Sequence, residues 1–261
     1  MSFRRLTKFV KTLERHCSPR MCARATFDRV VATRARCDVR GRVRGAVARA
    51  RATRGGEDVR RHVPWTGGLE IIFSADERDV LAGASRGAPL DALSAPWRLM
   101  LLSDGSVTRH LSVLGRSART EVEVVESGAR RSDDDDDDAP RDVKRLGEGI
   151  LRREVFLRAR GTTGAGEAPA VYAASWWNEE AFRKFMPDEG ASMWANLRNA
   201  NVELHREIRE VYLGKNERLE EAFGERGPFW ARHYIFWHDG APITVVYEVF
   251  NPALSAVLGR P

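Results

Sequence analysis

Two charged residues occupy strand faces that alternation otherwise makes apolar. In ITVVYEVF, residues 243–250, Ile243, Val245, Tyr247 and Val249 share one face, while Glu248 shares the other with Thr244, Val246 and Phe250. In ILRREVFLRAR, residues 150–160, Arg153 falls beside Leu151, Val155, Leu157 and Ala159. The opposite face holds Arg152, Glu154, Phe156, Arg158 and Arg160, and its polarity predicts that it is wet. A charge on a core face is costly unless it is paired or bound. Two arrangements meet that condition. Arg153 and Glu248 pair with each other across the sheet or reach out at its edge, or both face an internal pocket that binds a carboxylate and does acid–base work. Arginine suits the first role through its planar fork, and glutamate the second because apolar surroundings raise its pKa.

Other residues offer less. If the Asp239-Gly240 turn is tight, Ala231 stands opposite Glu248 and His233 lies diagonally on the same face, where it joins the site or is a satisfied core histidine. His110, His205 and His238 lack metal-ligand spacing, so no metal is expected. Trp176, Trp177, Trp194, Trp230 and Trp237 read as core and sheet-packing residues. GTTGAG, residues 161–166, is not followed by a helix and fails as a dinucleotide fingerprint; no Walker motif, HExxH or nucleophile elbow is present.

The elements that must position these residues follow from turn signals and periodicity. LEIIFSADERDVLAG, residues 69–83, is mixed. PWRLMLLSDGSVTRHLSVLG, residues 96–115, predicts two short helices broken at Asp104-Gly105, with Ser106 capping the second. TEVEVVES, residues 120–127, alternates as a strand, and a hairpin runs from ILRREVFLRAR through a Gly-rich loop to AVYAASWW. Residues 178–223 carry apolar positions at three- and four-residue steps and read as helical in parts, including ANVELHREIREVYLG. ARHYIFWHDGAPITVVYEVF, residues 231–250, is the clearest hairpin. Strands at both ends with helices between predict an α+β domain, a single antiparallel sheet with helices packed on it.

Charge divides the chain. Residues 1–60 hold 17 Lys plus Arg against 5 Asp plus Glu, a net of +12, so the rest holds 26 against 32, a net of −6, within the overall +6. The Arg-, Ala-, Val- and Thr-rich, acid-poor N-terminus reads as an organelle transit peptide over 1–61, followed by a linker and domain extension over 62–95 and the main domain over 96–261. The alternative for the N-terminus is an arm that neutralises nucleic-acid phosphates, but the acidic remainder continues no basic patch, and no nucleic-acid partner is expected. No stretch reaches the apolar length of a membrane span. Cys17, Cys22 and Cys37 all fall in the leader, which leaves the main domain without a disulfide, a thiolate metal site or a cysteine nucleophile. The six aspartates 133–138 lie in an acidic insertion at 128–143 and read as a solvated loop rather than a cation site.

The segments LMLLSDGSVTRHL, LRREVFLRA, YAASWW, ELHREIREVYLG and GPFWARHYIFWHDGAPITVVYEVFNP together resemble the chorismate lyase (chorismate pyruvate-lyase) family, in its cyanobacterial and plastid form, over about residues 96–259. The resemblance implies a cofactor-independent cleavage of chorismate to 4-hydroxybenzoate and pyruvate, for quinone precursor synthesis, in a cavity on an antiparallel sheet. It implies that Arg153, in LRREV, and Glu248, in YEVF, are the catalytic and ligand-holding pair. Two further contact positions of the family fall on Val107, where a methionine is usual, and Trp194, where a leucine is usual. A dianionic substrate calls for more cationic help, for which Arg232 and Arg206 are candidates. The resemblance further implies a monomer located in the chloroplast stroma after leader removal, with the mitochondrion the alternative location. The rival functions are a non-catalytic sensor domain and a homologue that only binds an aromatic acid.

Overall fold

A computed structural model describes residues 68–82, 89–129, 139–164 and 168–261. The transit-peptide reading of 1–61 and the aspartate run 133–138 lie outside the described residues.

Among the described residues, seven strands form one antiparallel sheet: β1 (Glu70–Asp76), β2 (Glu121–Ala129), β3 (Ile150–Arg158), β4 (Val171–Asn178), β5 (His205–Lys215), β6 (Phe229–His238) and β7 (Ala241–Phe250). Their order across the sheet is β1-β5-β6-β7-β4-β3-β2. Among the described residues, seven short helices accompany them: α1 (Glu77–Leu81), α2 (Ala95–Leu102), α3 (Val107–Leu114), α4 (Glu179–Phe185), α5 (Met193–Asn199), α6 (Glu217–Phe223) and α7 (Ser255–Leu258). The α+β architecture read from the element order is the one observed.

Both faces of the sheet are covered. On the first, Val155, Leu157, Ala173, Val211 and Phe250 pack against Trp97, Met100 and Leu101 of α2 and Val107 and Leu111 of α3. Farther along that face, Trp177, Ile208, Tyr234, Phe236 and Val246 meet Phe182 and Phe185 of α4 and Leu197 of α5. The second face packs Tyr172, Ala174, Trp176, Ile235 and Val245 against Leu219 and Phe223 of α6 and against Val143 and Leu146 of a 3-10 turn, Arg141–Leu146.

The two helices around Asp104-Gly105 form as their sequence predicts, and the Ser106 side chain accepts from the Arg109 backbone amide. Two readings need correction. ELHREIREVYLG is not helical: it supplies β5, eleven residues long. A bulge between Ile208 and Glu210 switches the phase of alternation, so the buried positions become Ile208, Val211 and Gly214, a three-residue spacing that imitates a helix. The polar face of β3 is wet only at its far end, where Arg158 is partly exposed and Arg160, just beyond the strand, exposed. Arg152 and Glu154 are 6% and 1% exposed, because α6 and the 3-10 turn cover that side of the sheet. There Glu154 accepts from the Tyr172 hydroxyl at 2.6 Å and pairs with Arg152 at 3.0 Å.

Candidate functional site

Register places the two anomalous charges in adjacent rows of the first face. Arg153 is opposite Ser175 of β4, which is opposite Val246 of β7. The next row runs Val155, Ala173, Glu248 and then Arg232 of β6. Both charges are buried, Arg153 at 3% exposure and Glu248 at 2%. Their recorded partners are different groups, so of the two arrangements open at the sequence level, mutual pairing is not the one found. Arg153 Nη2 donates to the Glu189 carbonyl at 2.7 Å and to the Ala191 carbonyl at 3.2 Å, which pins the segment leading into α5. Its Nε is enclosed with no acceptor. Burial lowers the pKa of the Arg153 guanidinium from its ordinary value, with Glu189 and Asp188 acting in the opposite sense. An arginine so far above neutrality stays charged.

Glu248 accepts on both oxygens. Arg232 Nε donates to Oε2 at 2.8 Å and the Tyr234 hydroxyl to Oε1 at 2.9 Å. Its surroundings are therefore not the purely apolar ones that alternation implied. Arg232 is wholly buried, and its Nη1 donates to the carbonyls of Met100, Leu101 and Ser103 at 3.0, 3.0 and 2.9 Å. It thus caps the end of α2 while orienting Glu248, a favourable place for a cation. Burial, and next the Glu248 charge, raise the Tyr234 pKa far above the usual range, so Tyr234 remains a phenol that can donate.

Arg206 of β5 completes the corner. Its Nη1 donates to the Gly105 carbonyl, and its guanidinium lies 4.5 Å from the Tyr234 ring and 4.7 Å from the Phe236 ring. Arg206 and Arg232 therefore clamp the turn between α2 and α3 from below. His110 of α3 lies near these charges: burial first, then Arg232 and Arg206, lower its pKa.

Above this row lies a cavity of about 310 Å³, lined by Arg153, Ser175, Arg206, Tyr234 and Glu248 among its polar groups and by Val107, Val122, Val155, Leu157, Ala173, Val246 and Phe236 among its apolar ones. Trp194 and Leu197 of α5 form its outer wall, with Arg198 stacked 5.0 Å from the Trp194 ring. A mostly apolar chamber with a few converging polar groups is the usual form of a small-molecule site.

Of the residues singled out from sequence, Arg153, Glu248, Val107, Trp194 and Arg206 share this cavity. Arg232 stands behind Glu248 rather than on the wall. His233 does not join it. A bulge between Phe236 and Trp237 shifts the hairpin by one residue, so Arg232, not Ala231, faces Glu248, and His233 turns to the second face. There His233 Nδ1 meets the Tyr212 hydroxyl at 2.7 Å and Nε2 meets Asp142 Oδ2 at 3.0 Å. Tyr234, Ser175 and Arg198 escaped the sequence reading. Tyr234 sits two residues from Arg232 in an aromatic strand and reads as core. Among the described residues, no group of three or more His, Cys, Asp or Glu is placed to hold a metal.

The chain belongs to the Rv2949c-like chorismate pyruvate-lyase family, whose model matches residues 101–258. Among relatives, the uncharacterized protein ycf21 of Cyanophora paradoxa is 27% identical over 199 residues, covering 76% of this chain and 93% of its own length. The Porphyra purpurea ycf21 protein is 30% identical over 159 residues, 61% of this chain and 82% of its own. Solved structures with some likeness include PhnF from Mycobacterium smegmatis, with 15% identity and a TM-score of 0.41 over 70% of this chain and 89% of PhnF. Another is gene product SA0254 from Staphylococcus aureus, with 11% identity and a TM-score of 0.42 over 57% of this chain and 90% of that one.

Proposed function

We propose that the protein is a cofactor-independent lyase that converts chorismate to 4-hydroxybenzoate and pyruvate. The observation that supports this most is the burial of Arg153 and Glu248 on one wall of the same cavity, each bonded to other groups and not to the other. Family membership supplies the reaction class, and the residues supply a consistent chemistry.

The reaction breaks the bond between ring C3 and the ether oxygen, and removes the hydrogen on C4. The electron pair of that C–H bond closes the third ring double bond while the enolpyruvate leaves with the C–O pair. The enolpyruvate then takes a proton on its methylene to become pyruvate. Aromatisation makes the step strongly downhill, so the protein needs mainly to orient and desolvate its substrate. Arg153 holds the ring carboxylate with the donors its carbonyl partners leave over. Glu248, fixed by Arg232 and Tyr234, has a free lone pair on each oxygen and accepts from the 4-hydroxyl beside the departing hydrogen. Val107 and Trp194 shape the chamber by bulk.

The reading extends to place: a plastid enzyme acting as a monomer and feeding quinone precursor synthesis, with the arginine-rich N-terminus as its address. A reporter fused to residues 1–61 is expected to enter plastids, and a mitochondrial or nuclear signal rejects that address.

The lyase reading is tested with the purified full chain, chorismate, and lactate dehydrogenase with NADH to report pyruvate. Pyruvate above the spontaneous rate is expected. Saturable binding of 4-hydroxybenzoate with no pyruvate would instead identify a binding protein of the same fold.

A further inference from the structure

We infer that the cavity carries a second anion subsite at Arg206, on the flank opposite Arg153, and that it receives the carboxylate of the ether arm. This rests on the chorismate reading and adds the orientation of the ligand to it.

Three arginines line the chamber and a fourth stands behind it, and their partners separate them. Arg232 is committed to Glu248 through Nε and to three backbone carbonyls through Nη1; its Nη2 also lacks an acceptor among the described residues, but Arg232 does not line the cavity. Arg198 is exposed, stacks on Trp194 and also borders an outer cleft with Arg109 and Arg119, so water screens its charge. Arg153 and Arg206 are alike in another respect: each has an Nε closed off from solvent with no acceptor. A buried guanidinium N–H without an acceptor is unfavourable, and a ligand carboxylate would satisfy it. The Tyr234 and Phe236 rings and the Gly105 carbonyl hold the Arg206 guanidinium in place, so it is preorganised.

Strand order then fixes the direction. Glu248 is on β7, two strands from Arg153 on β3 and two strands from Arg206 on β5, while along the strands Arg206, opposite Phe236 and so level with Thr244, lies on the other side of the Arg153 row from Glu248. Each step of two strands is about 10 Å. In chorismate the hydroxyl is para to the ring carboxylate and the ether arm is ortho to the hydroxyl. With the ring carboxylate at Arg153 and the hydroxyl at Glu248, the arm, which leaves the ring at an angle to that axis, turns past β7 and back along the strands toward β5. Its carboxylate arrives at Arg206.

Two unreactive aromatic probes read this directly: 3-(carboxymethoxy)-4-hydroxybenzoate, which carries both carboxylates, and 3-methoxy-4-hydroxybenzoate, which lacks the second. Titration calorimetry on the full chain is expected to show tighter binding of the diacid. Arg206→Gln, which can still donate to the Gly105 carbonyl, is expected to weaken the diacid about tenfold or more, the scale of one charge-assisted hydrogen bond, and the monoacid by less than about twofold. Arg206→Lys, which keeps the charge, recovers part of the diacid loss. Equal loss for both probes in Arg206→Gln would mean that Arg206 only supports the α2–α3 turn and would overturn the subsite, as would no loss, or no diacid preference in the unaltered chain. Pyruvate release from chorismate is scored separately: its absence removes the lyase reading, whereas a diacid preference that survives Arg206→Gln removes the subsite alone.

Discussion

At the level of single residues, the site consists of charges that depend on one another. Glu248 is buried against Arg232, and neither has water to fall back on. Replacing Arg232 by Met leaves Glu248 without its cation and the end of α2 without its donor, and is expected to cost about 3–5 kcal/mol in urea unfolding, the range for breaking a buried pair from one side. Glu248→Gln keeps the shape, and its amide oxygen can still accept from Arg232 while its NH2 donates to the Tyr234 oxygen, so it is expected to fold while losing about 100-fold in kcat for chorismate, the lower end of acid–base contributions. An unchanged kcat would remove Glu248 from the chemistry. Arg153 and Glu248 were legible in the sequence because each breaks an otherwise apolar alternation. Arg232 and Tyr234 were not legible as the partners of Glu248, since a one-residue bulge at Phe236 decides which β6 residue faces it, and nothing in the turn residues marks that bulge.

At the level of elements, bulges again separate what the sequence shows from what it hides. The hairpins around Asp239-Gly240 and between β3 and β4, and the helices flanking Asp104-Gly105, follow from local signals and are found. β5 was misread because its bulge converts a period of two into one of three, and β5 is the strand that brings Arg206 to the cavity. Gly214, near the end of that strand, accommodates β1: a Cβ there would stand 2.6 Å from the Glu70 carbonyl oxygen and 2.9 Å from Leu69 Cβ. Gly214→Ala is therefore expected to push β1 away and to destabilise by about 1–3 kcal/mol, the usual cost of overpacking. Hydrogen exchange should place the loss of protection on β1 and β5, and an unaffected β1 would contradict the close approach.

At the level of the whole molecule, the second face is held by a network that the sequence did not disclose, because its members come from a 3-10 turn and two strands far apart in the chain. Asp142 accepts from Arg145 at 2.7 Å and from Arg209 at 3.2 Å and meets His233 at 3.0 Å. The hydrogen bond with His233 is the main cause that holds the Asp142 carboxyl well below the usual carboxylate range, with Arg209 adding to it and burial opposing. A depressed folded pKa means stability that is full above the ordinary aspartate value, about 4, and is lost as pH falls through the folded value. The gap in urea stability between the unaltered chain and Asp142→Asn is thus expected to be greatest near pH 6–7 and to close progressively below about pH 4. A gap that widens on acidification would contradict the network. The proposed function belongs to the other face, to the chamber that Arg153 and Glu248 share, and it is tested most directly by chorismate turnover in matched preparations of the unaltered chain and Arg153→Ala. Pyruvate is expected from the first and a kcat/KM lower by about 100-fold in the second, on the order of 3 kcal/mol of transition-state binding. A variant that turns over chorismate at a near-normal rate would contradict that placement.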